Sequence, residues 1–188
     1  MLASSSPYRR QLLERLGLTF AAASPDIDET PLPLEEPATL VARLAESKAR
    51  ALAARYPQHL IIGSDQAAHL DGTILGKPGG FAAARRQLRA CSGRRVEFLT
   101  GLCLLDSRTG QAQTLVEPFA VAFRELTDGQ IEHYLEREQP YDCAGSFKVE
   151  GLGIALFERL DGADPNALIG LPLIQLIRLL EQAGVAVL

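Results

Sequence analysis

The sequence predicts an α/β fold, with a mixed and curved sheet carrying helices on its faces. Three observations carry that prediction. Apolar residues recur with the helical period in some stretches and the strand period in others, and the two alternate along the chain. Two of the strand-like stretches bend at the turn signals Asp71-Gly72 and Arg108-Thr109-Gly110, so part of the sheet is antiparallel. The chain has 188 residues, 47% of them apolar, which suits one domain spanning 1–188 or two lobes on a shared sheet. A chain of this size buries roughly 70% of its unfolded surface and needs no covalent staples.

The elements follow in order. Ser6 is placed as N-cap, Pro7 at the first helical position and Gly17 past the end, which predicts a helix over 7–16. Residues 19–23 read as a strand, and the Pro-rich acidic stretch 26–37 as a loop. A long helix over 38–56 shows an apolar stripe at Val41, Leu44, Ala45 and Leu52. A buried strand begins at Leu60, is expected to break at Gly63-Ser64-Asp65-Gln66, and resumes to Leu70. A helix over 81–90 precedes an antiparallel pair, 96–105 and 113–123. Thr127 caps a helix to Glu138, residues 153–159 alternate as a strand, and a last helix over 172–183 ends at Gly184.

Composition excludes several classes. The 19 basic and 23 acidic residues leave a formal charge of −4, which argues against nucleic acid or an anionic membrane surface as partner. No apolar run is long enough to span a bilayer, and the N-terminus lacks the pattern of a secretory signal. Cys91, Cys103 and Cys143 are odd in number and widely spaced, so they read as core filler in a reducing cytoplasm. His59, His69 and His133 show no ligand spacing.

Five features are candidates for chemistry. The segment Ser4-Ser5-Ser6-Pro7-Tyr8-Arg9-Arg10 leads into a helix N-terminus, where free N–H groups favour an anion. Two arginines in that first turn oppose the helix dipole unless something negative docks there. Asp65 follows an apolar strand run and a Gly-Ser pair; it is either a ligand-facing carboxylate or a turn aspartate bonding its own backbone. Lys48 falls on the apolar stripe of its helix, so it either snorkels outward or reaches an internal anion. Gly76-Lys77-Pro78 puts a cation on a rigid turn without forming a Walker loop. Asp28-Glu29-Thr30-Pro31 places acids in a loop, where solvated acids are the norm.

In this order, Ser4-x-Ser6-Pro7-x-Arg9-Arg10, Asp28-Glu29-Thr30-Pro31, Lys48, Gly63-Ser64-Asp65-Gln66 and Gly76-Lys77-Pro78 resemble the Maf family of nucleoside triphosphate pyrophosphatases. The segment Cys143-Ala144-Gly145-Ser146-Phe147-Lys148-Val149-Glu150-Gly151 and the tail Gly170-Leu171-Pro172-Leu173 extend the match over the whole chain. Gly-Ser-Asp-Gln and Ala-Gly-Ser-Phe-Lys look like the YceF subfamily, associated with 7-methyl-GTP. The resemblance implies an elongated mixed sheet flanked by helices, with a cleft between two lobes, akin to inosine triphosphatase. It implies hydrolysis of a nucleoside triphosphate to the monophosphate and pyrophosphate, with a divalent metal, Mg²⁺ or Mn²⁺. By that analogy Asp65 is the proton acceptor, Ser6, Arg9, Arg10, Lys48 and Lys77 bind phosphate, and Glu29 with Asp65 meets the metal. Tyr8, Gln66 and Glu150 select the base: an aromatic face suits the cationic 7-methylguanine ring, and Glu150 accepts from the guanine imino and amino groups. The partner is a small nucleotide, and a homodimer is compatible with it.

Two departures set further expectations. Met1 falls inside the family's first strand, so either the start lies upstream or that strand is short. Gly79-Gly80 is expected to loosen the approach to Lys77. The alternatives are a dTTP/UTP pyrophosphatase of the sibling subfamily, and a nucleotide-binding regulator of septum formation without turnover.

Overall fold

The computed structural model describes residues 1–188. The strands are β1 (Leu2–Ala3), β2 (Ala22–Ala23), β3 (Leu60–Leu70), β4 (Thr73–Leu75), β5 (Arg95–Asp106), β6 (Gln111–Phe123) and β7 (Phe157–Gly162). The helices are α1 (Pro7–Glu14), α2 (Pro37–Ala51), α3 (Phe81–Cys91), α4 (Asp128–Glu138), α5 (Pro165–Ile169) and α6 (Leu173–Gln182), with 3-10 turns at Ala144–Ser146 and Leu152–Leu156. The strands form a mixed seven-stranded sheet in the order β2-β1-β3-β5-β6-β7, with β4 paired to β3. This is the mixed α/β architecture that the alternating periods predict. No helix is long and apolar enough to cross a membrane.

The chain divides into two compact units. The first comprises Met1–Gln66, Leu99–Glu117 and Asn166–Leu188; the second, Ala67–Phe98 and Pro118–Pro165. In the first unit β1 lies between β2 and β3, parallel to both, with Leu2 opposite Ala22 and Ile62. Its core is built from Leu2, Leu12, Leu13, Ile62, Leu102, Leu104 and the α6 face Leu173, Leu176, Leu179 and Leu180. The opposite layer is α2 with the turn after it, packed through Ala45, Ala49 and then Leu52 against Ile61, Cys103 and Leu105. In the second unit β4 pairs antiparallel with the end of β3, and β7 with β6. Phe98, Phe123, Phe147 and Phe157 form a chain of edge-to-face rings there, a geometry that the aromatic quadrupole favours.

Several expectations shift. β2, expected over 19–23, is two residues long, and β1 is equally short, which was one of the two alternatives for it. β3 runs unbroken through Gly63-Ser64-Asp65-Gln66, because those residues pair and pack as strand rather than turning. α2 stops at Ala51, and residues 52–55 are turns. The stretch read as a strand over 153–159 is a 3-10 turn followed by β7. Gly153 explains this: a Cβ there would lie 2.3 Å from the Lys148 carbonyl, so the backbone folds tightly onto itself before extending. The capping expectations hold for α1 and α4. Ser6 accepts from the Arg9 amide, and Thr127 and Gln130 form a capping box.

Candidate active site

The position of Lys48 is set by glycine. α2 crosses β3 and β5 at Gly63 and Gly101, where an added Cβ would lie 2.0 Å from the Ala45 carbonyl oxygen and 2.1 Å from that of Val41. Only a residue without a side chain lets the helix backbone approach the sheet this closely. Lys48 shares the inward face with Leu44, Ala45 and Ala49, and its side chain is only 7% exposed. A buried ammonium needs partners, because an unpaired one is costly to remove from water. It has two: Asp65 Oδ1 at 2.6 Å and Glu29 Oε1 at 3.0 Å. Of the two readings open for Lys48, the structure therefore gives the internal one.

The two acids differ in setting. The Asp65 side chain is 12% exposed on rigid β3, whereas Glu29 is 56% exposed in the loop before α2. That loop is fastened from α2. Arg43 pairs with Glu35 through Nε at 2.6 Å and Nη2 at 2.7 Å and donates to the Thr30 carbonyl at 3.2 Å. Glu35 in turn accepts from the Leu32 amide at 2.9 Å, and Asp28 accepts from the Thr30 amide at 2.9 Å. The hydrogen-bonded Arg43 guanidinium holds the Glu35 carboxyl down to about 2. The acids of this loop thus shape its backbone, and Glu29 projects from it onto Lys48.

Arg9 enters from α1. Its Nε donates to the Gly170 carbonyl at 2.8 Å. Burial lowers the guanidinium pKa, opposed by the charges of Asp65 and Glu29; a guanidinium stays protonated through such shifts. The first unit therefore brings Arg9, Lys48, Asp65 and Glu29 into one electrostatic cluster. Ser6 lies beside it with its hydroxyl engaged by the Arg9 amide at 3.3 Å, while Ser4 accepts from the Ser6 amide at 3.1 Å. Tyr8 is half-buried and Arg10 exposed.

Gln66 sits on the other face of β3 from Asp65's neighbour Lys48. Its amide nitrogen lies 2.7 Å from the Ala167 carbonyl, 3.2 Å from that of Leu168 and 3.0 Å from the Thr100 hydroxyl. Thr100, fully buried, donates to the Ala167 carbonyl at 2.9 Å. Sequence reasoning quoted Ser64 and Gly170 within motifs but gave them no role, and missed Thr100; all three join this network. A hydroxyl inside an apolar strand run was the available signal for Ser64; threonine is at home in strands, so Thr100 gave none.

Lys77 and Glu150 belong to the second unit. Lys77 is exposed on the turn between β4 and α3. That turn is pinned rather than loosened, since the Gly79 amide donates to the Tyr141 carbonyl at 3.0 Å and Gln87 donates to the Gly76 carbonyl at 2.9 Å. Glu150 is exposed on a loop held by α4, where Tyr134 Oη accepts from the Lys148 amide at 3.0 Å and Glu138 from the Leu152 amide at 2.7 Å. Cys91 and Cys103 are buried and Cys143 half-buried. No three His, Cys, Asp or Glu side chains gather as a metal site.

A family model described as Maf-like protein matches residues 1–183. The chain belongs to the Maf family. Among curated relatives, this Maf chain is 63% identical over 188 residues to a Nitrosococcus oceani protein named 7-methyl-GTP pyrophosphatase, covering 100% of this chain and 94% of that one. Pseudomonas syringae pv. tomato has a protein of the same name at 62% identity, covering 100% of this chain and 97% of its own. A third, from Chromohalobacter salexigens, is 58% identical over 98% of this chain and 95% of its own. Among solved structures, the Staphylococcus aureus Ham1 protein is similar at 15% identity and a TM-score of 0.46, over 66% of this chain and 71% of that one.

Proposed function

We propose that this Maf chain hydrolyses 7-methyl-GTP to 7-methyl-GMP and pyrophosphate. The observation that carries the reading is the cluster of Lys48, Arg9, Asp65 and Glu29, in a chain so similar to three proteins of that name. Two cations in a largely buried setting suit a polyphosphate, with Arg9 offering a planar fork and Lys48 a compact charge.

In the proposed reaction Asp65 takes a proton from water as the water oxygen bonds to the α phosphorus. The bond from that phosphorus to the bridging oxygen breaks, and pyrophosphate leaves with its electron pair. General-base assistance of this kind is worth about 10²–10⁴-fold. Lys48 holds Asp65 in place and meets the incoming phosphates, and Arg9 and Ser6 at the α1 N-terminus add donors. Arg10 and Lys77 are proposed as further phosphate contacts; Tyr8, Gln66 and Glu150 are proposed to select the base.

Two carboxylates fit a hard divalent cation, Mg²⁺ or Mn²⁺, which takes oxygen ligands and commonly completes its shell with water and substrate phosphates. Glu29 and Asp65 would hold it, and when bound it would neutralise charge on the leaving group. We propose a cytoplasmic location, where a role in the nucleotide pool would be exercised. The test is pyrophosphate release from a panel of nucleotides with Mg²⁺ and Mn²⁺ in turn. Preference for 7-methyl-GTP is expected; preference for dTTP or UTP would overturn the assignment.

A further inference from the structure

Ser64 lies on β3 between Gly63 and Asp65 and is fully buried. Successive strand residues point to opposite faces, so Gly63 and Asp65 meet α2, while Ser64 meets Gly170 just after α5 and Gln66 meets Ala167 and Leu168 within α5. The Ser64 hydroxyl is 2.8 Å from the Gly101 carbonyl and 2.9 Å from the Gly170 carbonyl. The Gly170 carbonyl is also the acceptor for Arg9 Nε at 2.8 Å. Gly170 has φ +117°, a conformation that residues with side chains rarely adopt, and a Cβ there would lie 3.3 Å from Arg9 Nε. One carbonyl, aimed by an unusual backbone angle, therefore receives the guanidinium and shares the single Ser64 hydroxyl proton with the Gly101 carbonyl. A guanidinium anchored at Nε keeps its two terminal amino groups for an anion, in a plane set by the anchor.

We infer that Ser64 is a positioning residue for Arg9: through the Gly170 carbonyl it fixes the direction in which the guanidinium meets a polyphosphate. This rests on the reading of Arg9 as a phosphate contact. Gln66 and Thr100 fasten Ala167 and Leu168 independently. Loss of the Ser64 hydroxyl therefore leaves the Gly170 carbonyl with Arg9 as its remaining side-chain partner, without releasing α5.

A double-mutant cycle tests the inference. Inorganic pyrophosphate with Mg²⁺ is titrated calorimetrically into the native chain, Ser64→Ala, Arg9→Ala and the double variant, with a thermal melt of each. Arg9→Ala is expected to weaken binding at least about tenfold, as for a lost charge-assisted contact. Ser64→Ala is expected to weaken it about three- to tenfold in the native chain but less than about twofold once Arg9 is gone, since coupled neighbours are non-additive. KM for 7-methyl-GTP should follow the same pattern. If Arg9→Ala weakens binding while Ser64→Ala does nothing, or weakens it equally in both backgrounds, the positioning role is overturned and the Arg9 reading stands. If Arg9→Ala leaves pyrophosphate affinity unchanged, both fall. Should Ser64→Ala fail to fold, Ser64→Cys, which keeps the shape and a weak donor, enters the same cycle with the same criteria.

Discussion

Replacing Gly63 by alanine tests whether the close approach of α2 builds the cluster. The new Cβ would lie 2.0 Å from the Ala45 carbonyl oxygen and 3.0 Å from the Ala49 nitrogen, both backbone atoms of the helix. Backbone in a close-packed layer has no rotamer to yield, so α2 must withdraw by roughly an ångström. Overpacking of this kind costs about 1–3 kcal/mol. At about 2–4 °C per kcal/mol for a chain of this length, the melting temperature should drop by about 2–12 °C. The same withdrawal strains the Lys48–Asp65 contact, now 2.6 Å. A misplacement of ~1 Å can cost up to ~10²-fold in rate, so kcat/KM for 7-methyl-GTP should fall by about 10–100-fold. Thermal melts followed by circular dichroism and a pyrophosphate-release assay measure the two effects. Gly129→Ala is the control, because nothing lies within 4 Å of its added Cβ. A Gly63→Ala protein with native melting and native turnover would refute the reasoning, as would equal damage from Gly129→Ala.

Asp65→Ala should lower kcat by about 10²–10⁴-fold while the protein still melts cooperatively, and a kcat near the native value would contradict its role as proton acceptor. Glu150→Ala should narrow the preference for 7-methyl-GTP over UTP and dTTP in competition assays; an unchanged ranking removes Glu150 from base selection. Lys77→Ala should raise KM for the nucleotide more than it lowers kcat, and an unaltered KM would remove it from the phosphate contacts. Glu35 titrates at about 2 in the fold instead of 4.5 because it is bonded to Arg43. The unfolded chain therefore takes up that proton first, so the contribution is complete above pH 4.5 and fades as pH falls towards 2. Melting profiles against pH should accordingly be flatter in this acid range for Glu35→Gln than for the native chain, and parallel profiles would count against the pair.

The sequence carried the long elements because their periods are set by many residues at once. α2 has an apolar stripe, and α4 a stripe and a capping box, that a single unusual residue cannot erase. Short elements lack that redundancy. α5 has five residues, too few to show a period, and the 3-10 turn at Leu152–Leu156 imitates strand alternation. Gly63-Ser64 read as a break because glycine usually interrupts a strand. Its actual use is the contact with Ala45, which depends on a helix eighteen residues earlier in the chain. Within the site, Lys48 was legible because a charge on an apolar stripe must be resolved somehow. Arg9 was legible because it opposes a helix dipole. The Ser64–Gly170 contact spans 106 residues and joins a side chain to a carbonyl, and carbonyls leave no mark in a sequence.

The odd and even positions of β3 serve different masters: Gly63 and Asp65 answer to α2, while Ser64 and Gln66 answer to the stretch around Ala167 and Gly170. A slip of one residue would exchange the two sets, putting a hydroxyl opposite Lys48 and a carboxylate opposite two carbonyl oxygens. The first would cost Lys48 its shorter ion pair and the second would turn a carboxylate against acceptors, so each set of partners pins the same register.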